Sequence, residues 1–363
     1  MKKSSVNSTI SFIFLHFLSP VMIHSLPLAP ALYVFGDSLL DSGNNNVLPT
    51  LAKADYLPYG VDFAEGATGR FTNGRTVADY IAEFLGLPYS PPYMSIERPL
   101  ASQLTGLNYA SASCGILPES GSVFGKCLNL NDQIDLFEIT VKSELPNYIK
   151  GSNELSEYLS KSIFIFSIGS NDYINNYLEP DIYSTSKYYP PQPFAQLLMD
   201  TLAQGFQRLY SLGARKVVIF EIGPIGCIPA FTRTQKHSGQ SCVHETNQIV
   251  SFFNQRLPAL LSNLTSTLQG STFVLGEANL LAYDAIRNPS KYGLADSSSP
   301  CCTTWENGTS GCIPFLLTRC PDAYKYFFWD AFHFTEAVSS IIAARCFNTS
   351  TCSPFNIKEL VQL

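Results

Sequence analysis

The sequence predicts an α/β protein in which helices cover a mainly parallel β-sheet. Short apolar runs rich in β-branched and aromatic residues alternate with longer stretches of helical periodicity, which is the pattern of a parallel sheet with crossover helices. The chain has 363 residues, of which 45% are hydrophobic and 14% charged, so it can bury a large core. Because no internal repeat or domain boundary is evident, one domain is the simplest organisation.

Five apolar runs are the strand candidates, and polar residues follow three of them. The runs are ALYVF at 31–35, SIFIFSIG at 162–169, KVVIFEIG at 216–223, STFVLGE at 271–277 and YKYFFWD at 324–330. The first, second and last of these runs are followed by GDS, GSND and DAFH. Ligands of open parallel sheets bind at the carboxyl ends of the strands, so a functional site is expected where these polar residues meet.

Three stretches between the strand candidates have helical periodicity. They are 74–86, 193–213 and 243–264. Gly213 closes the second, since glycine is favoured just beyond a helix end. The inserts 87–99 and 296–321 are rich in Pro, Ser, Gly and Cys, which predicts loops.

The first 25 residues have the composition of a secretory signal peptide. Two lysines precede a short apolar run from about residue 10 to residue 22, and small or polar residues follow it, with cleavage expected near Ser25. Polar residues and a proline interrupt this run, which disfavours the alternative of a stable membrane anchor. The sequence therefore predicts a secreted protein whose single domain spans 26–363.

The net charge limits the classes of binding partner, and the cysteine content indicates the cellular compartment. Removing the two signal lysines takes the net charge from −6 to −8, which disfavours nucleic acid and anionic membrane surfaces as partners. All ten cysteines follow the signal, and an even number in a secreted chain predicts up to five disulfides. Three short pairings are expected, 114–127, 227–242 and 346–352. Three sequons, at Asn263, Asn307 and Asn348, are glycosylation candidates.

The sequence lacks the motifs of several other enzyme classes. It contains no C-x-x-C pair and no H-E-x-x-H, so no metal site is predicted. No G-x-G and no G-x-x-x-x-G-K occurs, so neither a nucleotide nor any other cofactor is expected, and the G-x-S-x-G elbow of α/β-hydrolases is missing. Glycosidase chemistry needs only two carboxylates and stays open, although no pair stands out.

Only His237, His244 and His333 remain after the signal, so any imidazole catalysis uses one of them. The first two lie in a polar stretch and are interpreted as surface residues. His333 follows Asp330 by three residues, at the exit of a strand candidate and before a helix. A carboxylate at that spacing can fix the tautomer of the imidazole, which leaves its other nitrogen to accept a proton from a hydroxyl.

Ser38 is the matching candidate nucleophile, because it directly follows the first strand candidate. Its own N–H, the side-chain amide of Asn171 and the backbone around Ala112 are candidate donors to an oxyanion. Each has an ordinary structural alternative, such as a helix cap or tight packing.

Together, the motifs resemble those of the plant GDSL-type esterase/lipase family within the SGNH hydrolase superfamily. They include FGDSLLDSGNNN, GRFTNGRTVADYIAEFLGL, LNYASASCGIL, IFSIGSNDY, LGARKVVIFEIGPIGCIP and FFWDAFHFTEA, in the order of the family and over essentially the whole mature chain. The resemblance implies a flavodoxin-like α/β/α sandwich, secretion, no metal, and hydrolysis of carboxylic esters through an acyl-serine.

The resemblance also implies a role for each site residue. Ser38 corresponds to the nucleophile, Asp330 and His333 to the acid and base, and Asn171 to the asparagine of the oxyanion hole. Ala112 stands where many relatives have the glycine whose N–H lines that hole. Two other functions remain possible: acyl transfer to an alcohol other than water, and ester-independent binding by a secreted protein that keeps the scaffold.

Overall fold

A computed structural model describes residues 26–95, 104–234 and 239–363. The described residues contain seven β-strands. They are β1 (Leu32–Gly36), β2 (Ile163–Ser167), β3 (Lys216–Phe220), β4 (Thr272–Gly276), β5 (Asp296–Pro300), β6 (Tyr326–Phe328) and β7 (Cys352–Ser353). The central sheet has the order β1-β2-β3-β4-β7, with the first four strands parallel and β7 antiparallel to β4. The predicted mainly parallel sheet is therefore confirmed.

An extended segment, 105–111, runs along the free edge of β1. Val34 N–H donates to the carbonyl of Leu107 at 3.0 Å, and Tyr109 N–H donates to the carbonyl of Val34 at 2.7 Å. These bonds and the parallel bridge between Val34 and Asn108 place a short fifth parallel segment outside β1. In chain order the five parallel segments then lie as 2-1-3-4-5, which is the flavodoxin-like order that the resemblance implies.

Helices cover both faces of this sheet. They are α1 (Val77–Leu85), α2 (Leu130–Ile139), α3 (Ser152–Lys161), α4 (Ser170–Asp172), α5 (Thr185–Tyr188), α6 (Pro191–Ser211), α7 (Pro229–Thr232), α8 (His244–Thr267), α9 (Ala278–Arg287), α10 (Glu336–Asn348) and α11 (Ile357–Leu360). One core contains side chains of α2, α3, α6 and α8, and the other contains side chains of α1, α9, α10 and α11. The predicted α/β/α sandwich is confirmed.

The alternation of side chains along each strand builds the two cores. Tyr33 and Phe35 of β1 enter the first core, whereas Leu32 and Val34 enter the second. The same alternation in β2 stacks Phe166 on Phe35, with ring centroids 4.7 Å apart. Apolar residues on both faces are what a strand needs when helices cover it on both sides.

The three predicted helices are present with shifted ends. The predicted helix 74–86 begins only at Val77, because Thr76 caps it in a reciprocal pair of hydrogen bonds with Asp79. The other two predicted helices are α6 and α8. Gly213 follows α6 with φ of 110°, as expected for a glycine beyond a helix end.

The prediction for the last strand was partly wrong. Residues 324–330 contain only the three-residue strand β6, and β6 pairs in parallel with β5 in a separate two-stranded sheet. The predicted loop 296–321 therefore begins with a strand. The polar sequence DSSSP of β5 shows no hydrophobic alternation, and backbone pairing with the apolar β6 determines its structure instead.

All ten cysteines are paired. The three predicted disulfides, 114–127, 227–242 and 346–352, are confirmed. The other four cysteines pair as 301–320 and 302–312, which closes the cysteine-rich segment on itself. In the described part of the chain, no helix is long and apolar enough to cross a bilayer. The predicted signal at 1–25 and His237 lie outside the described residues.

Candidate active site

The end of β1 positions Ser38 at the carboxyl edge of the sheet. Gly36 has φ of 152°, and a Cβ at this position would lie 2.3 Å from the carbonyl oxygen of Ser167 in β2, so only glycine fits. Gln133 of α2 holds this turn: its Oε1 accepts from Gly36 N–H and its Nε2 donates to the Gly36 carbonyl, each at 2.8 Å. The polypeptide then turns so that Ser38 faces a cavity.

The structure brings Ser38, His333 and Asp330 together in one hydrogen-bonded chain. Ser38 Oγ lies 2.7 Å from His333 Nε2. His333 Nδ1 lies 2.9 Å from Asp330 Oδ1 and 2.8 Å from Asp330 Oδ2. The candidate nucleophile thus comes from the N-terminal part of the chain, and the candidate base and acid come from its C-terminal part. Ser38 and His333 are 295 residues apart in the sequence.

A tight loop between β6 and α10 fixes the geometry of Asp330 and His333. Trp329 N–H donates to the carbonyl of His333 at 2.7 Å, which closes the loop. Asp330 Oδ1 accepts from the N–H groups of Phe332 at 2.8 Å and His333 at 2.7 Å. The carboxylate that orients the imidazole therefore also holds the backbone between Asp330 and His333 in place.

Tyr59 also bonds to Asp330, a contact that the sequence did not indicate. Its hydroxyl donates to Asp330 Oδ2 at 2.6 Å and accepts from the N–H of Cys312 at 3.2 Å. Burial opposes ionisation of Asp330, but the charge and hydrogen bond of His333 and the bond from Tyr59 outweigh it and hold the pKa of Asp330 below its ordinary value. Burial and the charge of Asp330 raise the pKa of Tyr59 well above its ordinary value, so its hydroxyl stays a donor.

Asn171 lies in the cavity wall beside this chain of side chains. It is in the short helix α4 after β2, and its Nδ2 donates to the carbonyl of Cys114 at 2.9 Å. Its Oδ1 accepts from Asn175 Nδ2 at 2.8 Å, which fixes the orientation of the amide. An amide nitrogen carries two hydrogens, so a second one remains for a ligand in the cavity.

Ala112 does not present its N–H to the cavity. That N–H donates to Asp41 Oδ2 at 3.2 Å and to Asn45 Oδ1 at 3.1 Å. The interpretation of Ala112 as an oxyanion donor is therefore wrong, because a buried pair of acceptors already takes its hydrogen. Asp41 and Asn45 belong to the motif DSGNNN, which is largely buried against the 108–112 segment.

Ser113, the next residue, carries a hydroxyl at the cavity wall. It lines the cavity and is 6% exposed, and its φ of 68° lies in the left-handed region. Its Oγ is buried and has no hydrogen-bond partner within the described chain. Ser113 could not be recognised from the sequence, because a run of small residues shows neither its backbone angle nor the bonding of the Ala112 N–H.

Asp37 precedes the nucleophile and is a second buried carboxyl group at the site. Its Oδ1 accepts from Leu39 N–H at 3.0 Å, and its Oδ2 has no partner among the described residues. Burial raises the pKa of Asp37 to about 7, against the lowering effects of the Leu39 N–H and the charge of His333.

The cavity encloses about 440 Å³, within the size range of small-molecule sites. The described residues contain no group of three or more His, Cys, Asp or Glu side chains that could hold a metal ion. His244 is the exposed first residue of α8, and it does not line the cavity.

An Asp–His–Ser chain with a side-chain amide beside it, at the carboxyl edge of a parallel α/β sheet, defines a serine hydrolase by class. A family model described as GDSL-like Lipase/Acylhydrolase matches residues 32–346. GDSL esterase/lipase 7 of Arabidopsis thaliana is 48% identical to the chain over 341 residues, which cover 93% of both proteins. GDSL esterase/lipase At5g08460 of the same plant is 42% identical over 341 residues, which cover 92% of this chain and 88% of the relative. The chain therefore belongs to the GDSL-like lipase/acylhydrolase family and is a carboxylic ester hydrolase.

Proposed function

We propose that the protein is a secreted esterase that hydrolyses carboxylic esters through an acyl intermediate on Ser38. The single observation that carries this proposal is the 2.7 Å contact between Ser38 Oγ and His333 Nε2, with Asp330 on the other imidazole nitrogen. A serine hydroxyl is a weak nucleophile near neutral pH unless a base takes its proton, and this geometry supplies the base.

In the first half-reaction, Ser38 Oγ attacks the ester carbonyl while its proton moves to His333 Nε2. Asp330 stabilises the imidazolium that forms, and the carbonyl oxygen becomes an oxyanion. When the tetrahedral intermediate collapses, the ester C–O bond breaks and His333 donates the proton to the leaving alcohol. Ser38 then carries the acyl group.

In the second half-reaction, a water molecule loses a proton to His333 Nε2 and attacks the acyl carbonyl. The Ser38 Oγ–acyl bond breaks, the proton returns to Ser38, and the carboxylic acid leaves. The proposed oxyanion donors are the N–H of Ser38, the amide of Asn171 and, in place of Ala112, the unpartnered hydroxyl of Ser113.

The reaction is tested by hydrolysing p-nitrophenyl butyrate in ¹⁸O-labelled water with ethanol present at rising concentration. We expect the ¹⁸O in butyrate and little ethyl butyrate, because water attacks the acyl carbonyl. Ethyl butyrate as the main product at low ethanol would contradict hydrolysis and support acyl transfer. An absence of nitrophenol release from a panel of esters would contradict both and support a binding protein.

We expect the two side-chain oxyanion donors to be unequal. Asn171→Ala is expected to lower kcat by about 10²- to 10³-fold, the usual effect of losing one such donor. Ser113→Ala is expected to lower kcat by roughly tenfold, because a hydrogen bond from a hydroxyl to a charged oxygen contributes about 1.5 kcal/mol. KM changes little in both variants, because the donors act on charge that develops in the transition state.

Steady-state kinetics of the purified variants measures these effects. Ser310→Ala is the matched control, because Ser310 also lines the cavity and its backbone carbonyl, not its side chain, accepts from Ala331 N–H. A Ser113→Ala enzyme with unchanged kcat would remove Ser113 from the oxyanion hole.

Secretion is supported by five disulfides, which persist in oxidising compartments. The sequon residues Asn263, Asn307 and Asn348 are all exposed, as glycan carriers must be. N-terminal sequencing and glycopeptide mapping of protein collected from the culture medium test this proposal. A protein retained in cells with residues 1–25 intact would contradict it.

A further inference from the structure

The cavity continues beyond Ser38 as an apolar arm. Its walls include residues at or just beyond the carboxyl ends of the next three strands: Ser167 at the end of β2, Phe220 at the end of β3 and Ala278 after β4. Adjacent strands lie about 4.8 Å apart, so β4 lies about 14 Å from β1. The arm therefore crosses the carboxyl edge of the sheet from the nucleophile to α9. We call this region the α9 arm and define it by Phe220, Ile228, Ala278, Ala282, Ile286 and Phe328.

One face of α9 forms the far wall of the α9 arm. Ala278, Ala282 and Ile286 line the cavity, and their spacing of four residues stacks them along one side of the helix. Two of the three are alanines, although the neighbouring Leu281 shows that this helix also packs larger side chains. The small residues leave open the space that bulkier ones would fill.

The opposite walls are hydrocarbon surfaces. Phe220 and Phe328 are buried aromatic residues, and Ile228 is the buried capping residue directly before α7. Glu221 also lines the cavity, but its Oε2 accepts from the N–H of Asn279 in the first turn of α9 at 3.1 Å. A ligand in this arm is thus held by apolar contact.

The mouth of the cavity lies elsewhere. Leu51 is 83% exposed and Trp305 is 54% exposed, and both line the cavity on the side open to solvent. The alcohol leaves first, while the acyl group is still bonded to Ser38, so an alcohol part that faces this mouth can depart without passing the acyl chain. The acyl part is then directed into the α9 arm.

We propose that the α9 arm binds the acyl chain of the substrate, that this chain is linear and aliphatic, and that Ala278 and Ala282 limit its length. The proposal rests on the function proposed above, because it requires the acyl carbonyl at Ser38. A C–C bond of about 1.5 Å gives an extended alkyl chain a rise of about 1.25 Å per carbon, so about 14 Å holds roughly eight to twelve carbons. The substrate class is therefore esters of medium-chain fatty acids.

The test measures kcat/KM for p-nitrophenyl esters with acyl chains from acetyl to palmitoyl, below their micellar concentrations. A second series varies the alcohol chain in alkyl acetates. Both series are run on the wild type, on Ala282→Trp and on Leu280→Trp. Leu280 lies on the same helix and is 67% exposed, so its tryptophan variant controls for the added bulk. Ala278→Leu supplies a second, smaller filling of the arm if Ala282→Trp does not fold.

We expect the wild-type kcat/KM to rise at least tenfold from butyryl to the medium chains, because each buried methylene contributes up to about a fourfold gain. In Ala282→Trp the medium-chain kcat/KM falls at least tenfold while the butyryl value stays within about threefold. Ala278→Leu shows the same selective fall to a smaller extent. Leu280→Trp keeps the wild-type profile.

Any of three results would overturn the α9 arm as the acyl site. The wild-type kcat/KM could be flat beyond butyryl, the Ala282→Trp profile could run parallel to that of the wild type, or kcat/KM could depend more strongly on the alcohol chain than on the acyl chain. In each of these cases short esters are still hydrolysed, so the proposed function stands. Failure of the proposed function looks different, since then no ester of either series is hydrolysed by the wild type.

Discussion

Replacing Ser38 by alanine is expected to lower kcat for p-nitrophenyl butyrate by about 10⁴- to 10⁶-fold, the loss seen when a triad member of a serine hydrolase is removed. The reason is that Ser38 Oγ is the atom 2.7 Å from His333 Nε2, and no acyl bond can form without it. The fold is expected to persist, because Ser38 is only half-buried and alanine fits where serine did.

Steady-state kinetics and thermal unfolding of the same preparations check this prediction. Ser310→Ala, the control variant in the cavity wall, is expected to keep near wild-type turnover and an unchanged Tm. A Ser38→Ala protein with more than a tenth of the wild-type kcat would contradict the assignment of the nucleophile.

Asp330→Asn is expected to lower kcat by about 10⁴-fold, as the loss of the orienting carboxylate does in other triads. An amide cannot stabilise the imidazolium as a carboxylate does, and its NH₂ group favours the wrong tautomer of His333. KM for the same ester is expected to change little. Kinetics of the purified variant measures both constants, and a kcat within tenfold of the wild type would contradict the role of Asp330.

The same variant is expected to show a pH-dependent loss of stability. Because the pKa of Asp330 is lowered in the folded protein, its ionised form stabilises the fold above about pH 4, the ordinary aspartate pKa. This contribution is lost as the pH falls through the lowered pKa. The difference in unfolding free energy between wild type and Asp330→Asn is therefore greatest near neutral pH and shrinks in acid. A difference that grows toward acidic pH would contradict the lowered pKa.

Tyr59→Phe is expected to weaken the Asp330–His333 pair less than Asp330→Asn does. It removes one donor to Asp330 and keeps the buried ring, so kcat is expected to fall by roughly tenfold, the equivalent of one hydrogen bond to a charged group. The downfield proton resonance of His333 Nδ1–H is expected to shift, because the charge on its acceptor changes. A fall in stability without either change would make Tyr59 a structural residue only.

The sequence predicted the sheet and its helices because both follow from hydrophobic periodicity. The runs that became β1 to β4 are apolar on both faces, and this pattern has few alternatives in a chain of this length. The pairing of β5 with β6 could not be predicted, because DSSSP contains no periodicity and its partner lies 30 residues away. Backbone hydrogen bonding between distant segments leaves no local signal.

In the site, too, residues with a local sequence signal could be recognised, and residues held by distant contacts could not. Asp330 and His333 could be recognised because their spacing is local, and Ser38 and Asn171 because they follow strands whose ends must meet. Tyr59 could not be recognised, because its two partners are distant in sequence: Asp330 lies 271 residues away and Cys312, whose N–H donates to the same hydroxyl, 253 residues away. Ala112 was misassigned because a sequence does not show which way an N–H points, and here it points to Asp41 and Asn45.

The central claim is that Ser38 carries the acyl group, and intact-mass spectrometry after reaction with a p-nitrophenyl alkylphosphonate tests it most directly. The phosphonate mimics the tetrahedral intermediate and remains bonded to the nucleophile. Peptide mapping locates the bond, and Ser38→Ala serves as the control. We expect one adduct per chain, on Ser38, and none in the variant. An adduct on another residue, or an active wild-type enzyme that forms no adduct, would contradict the account.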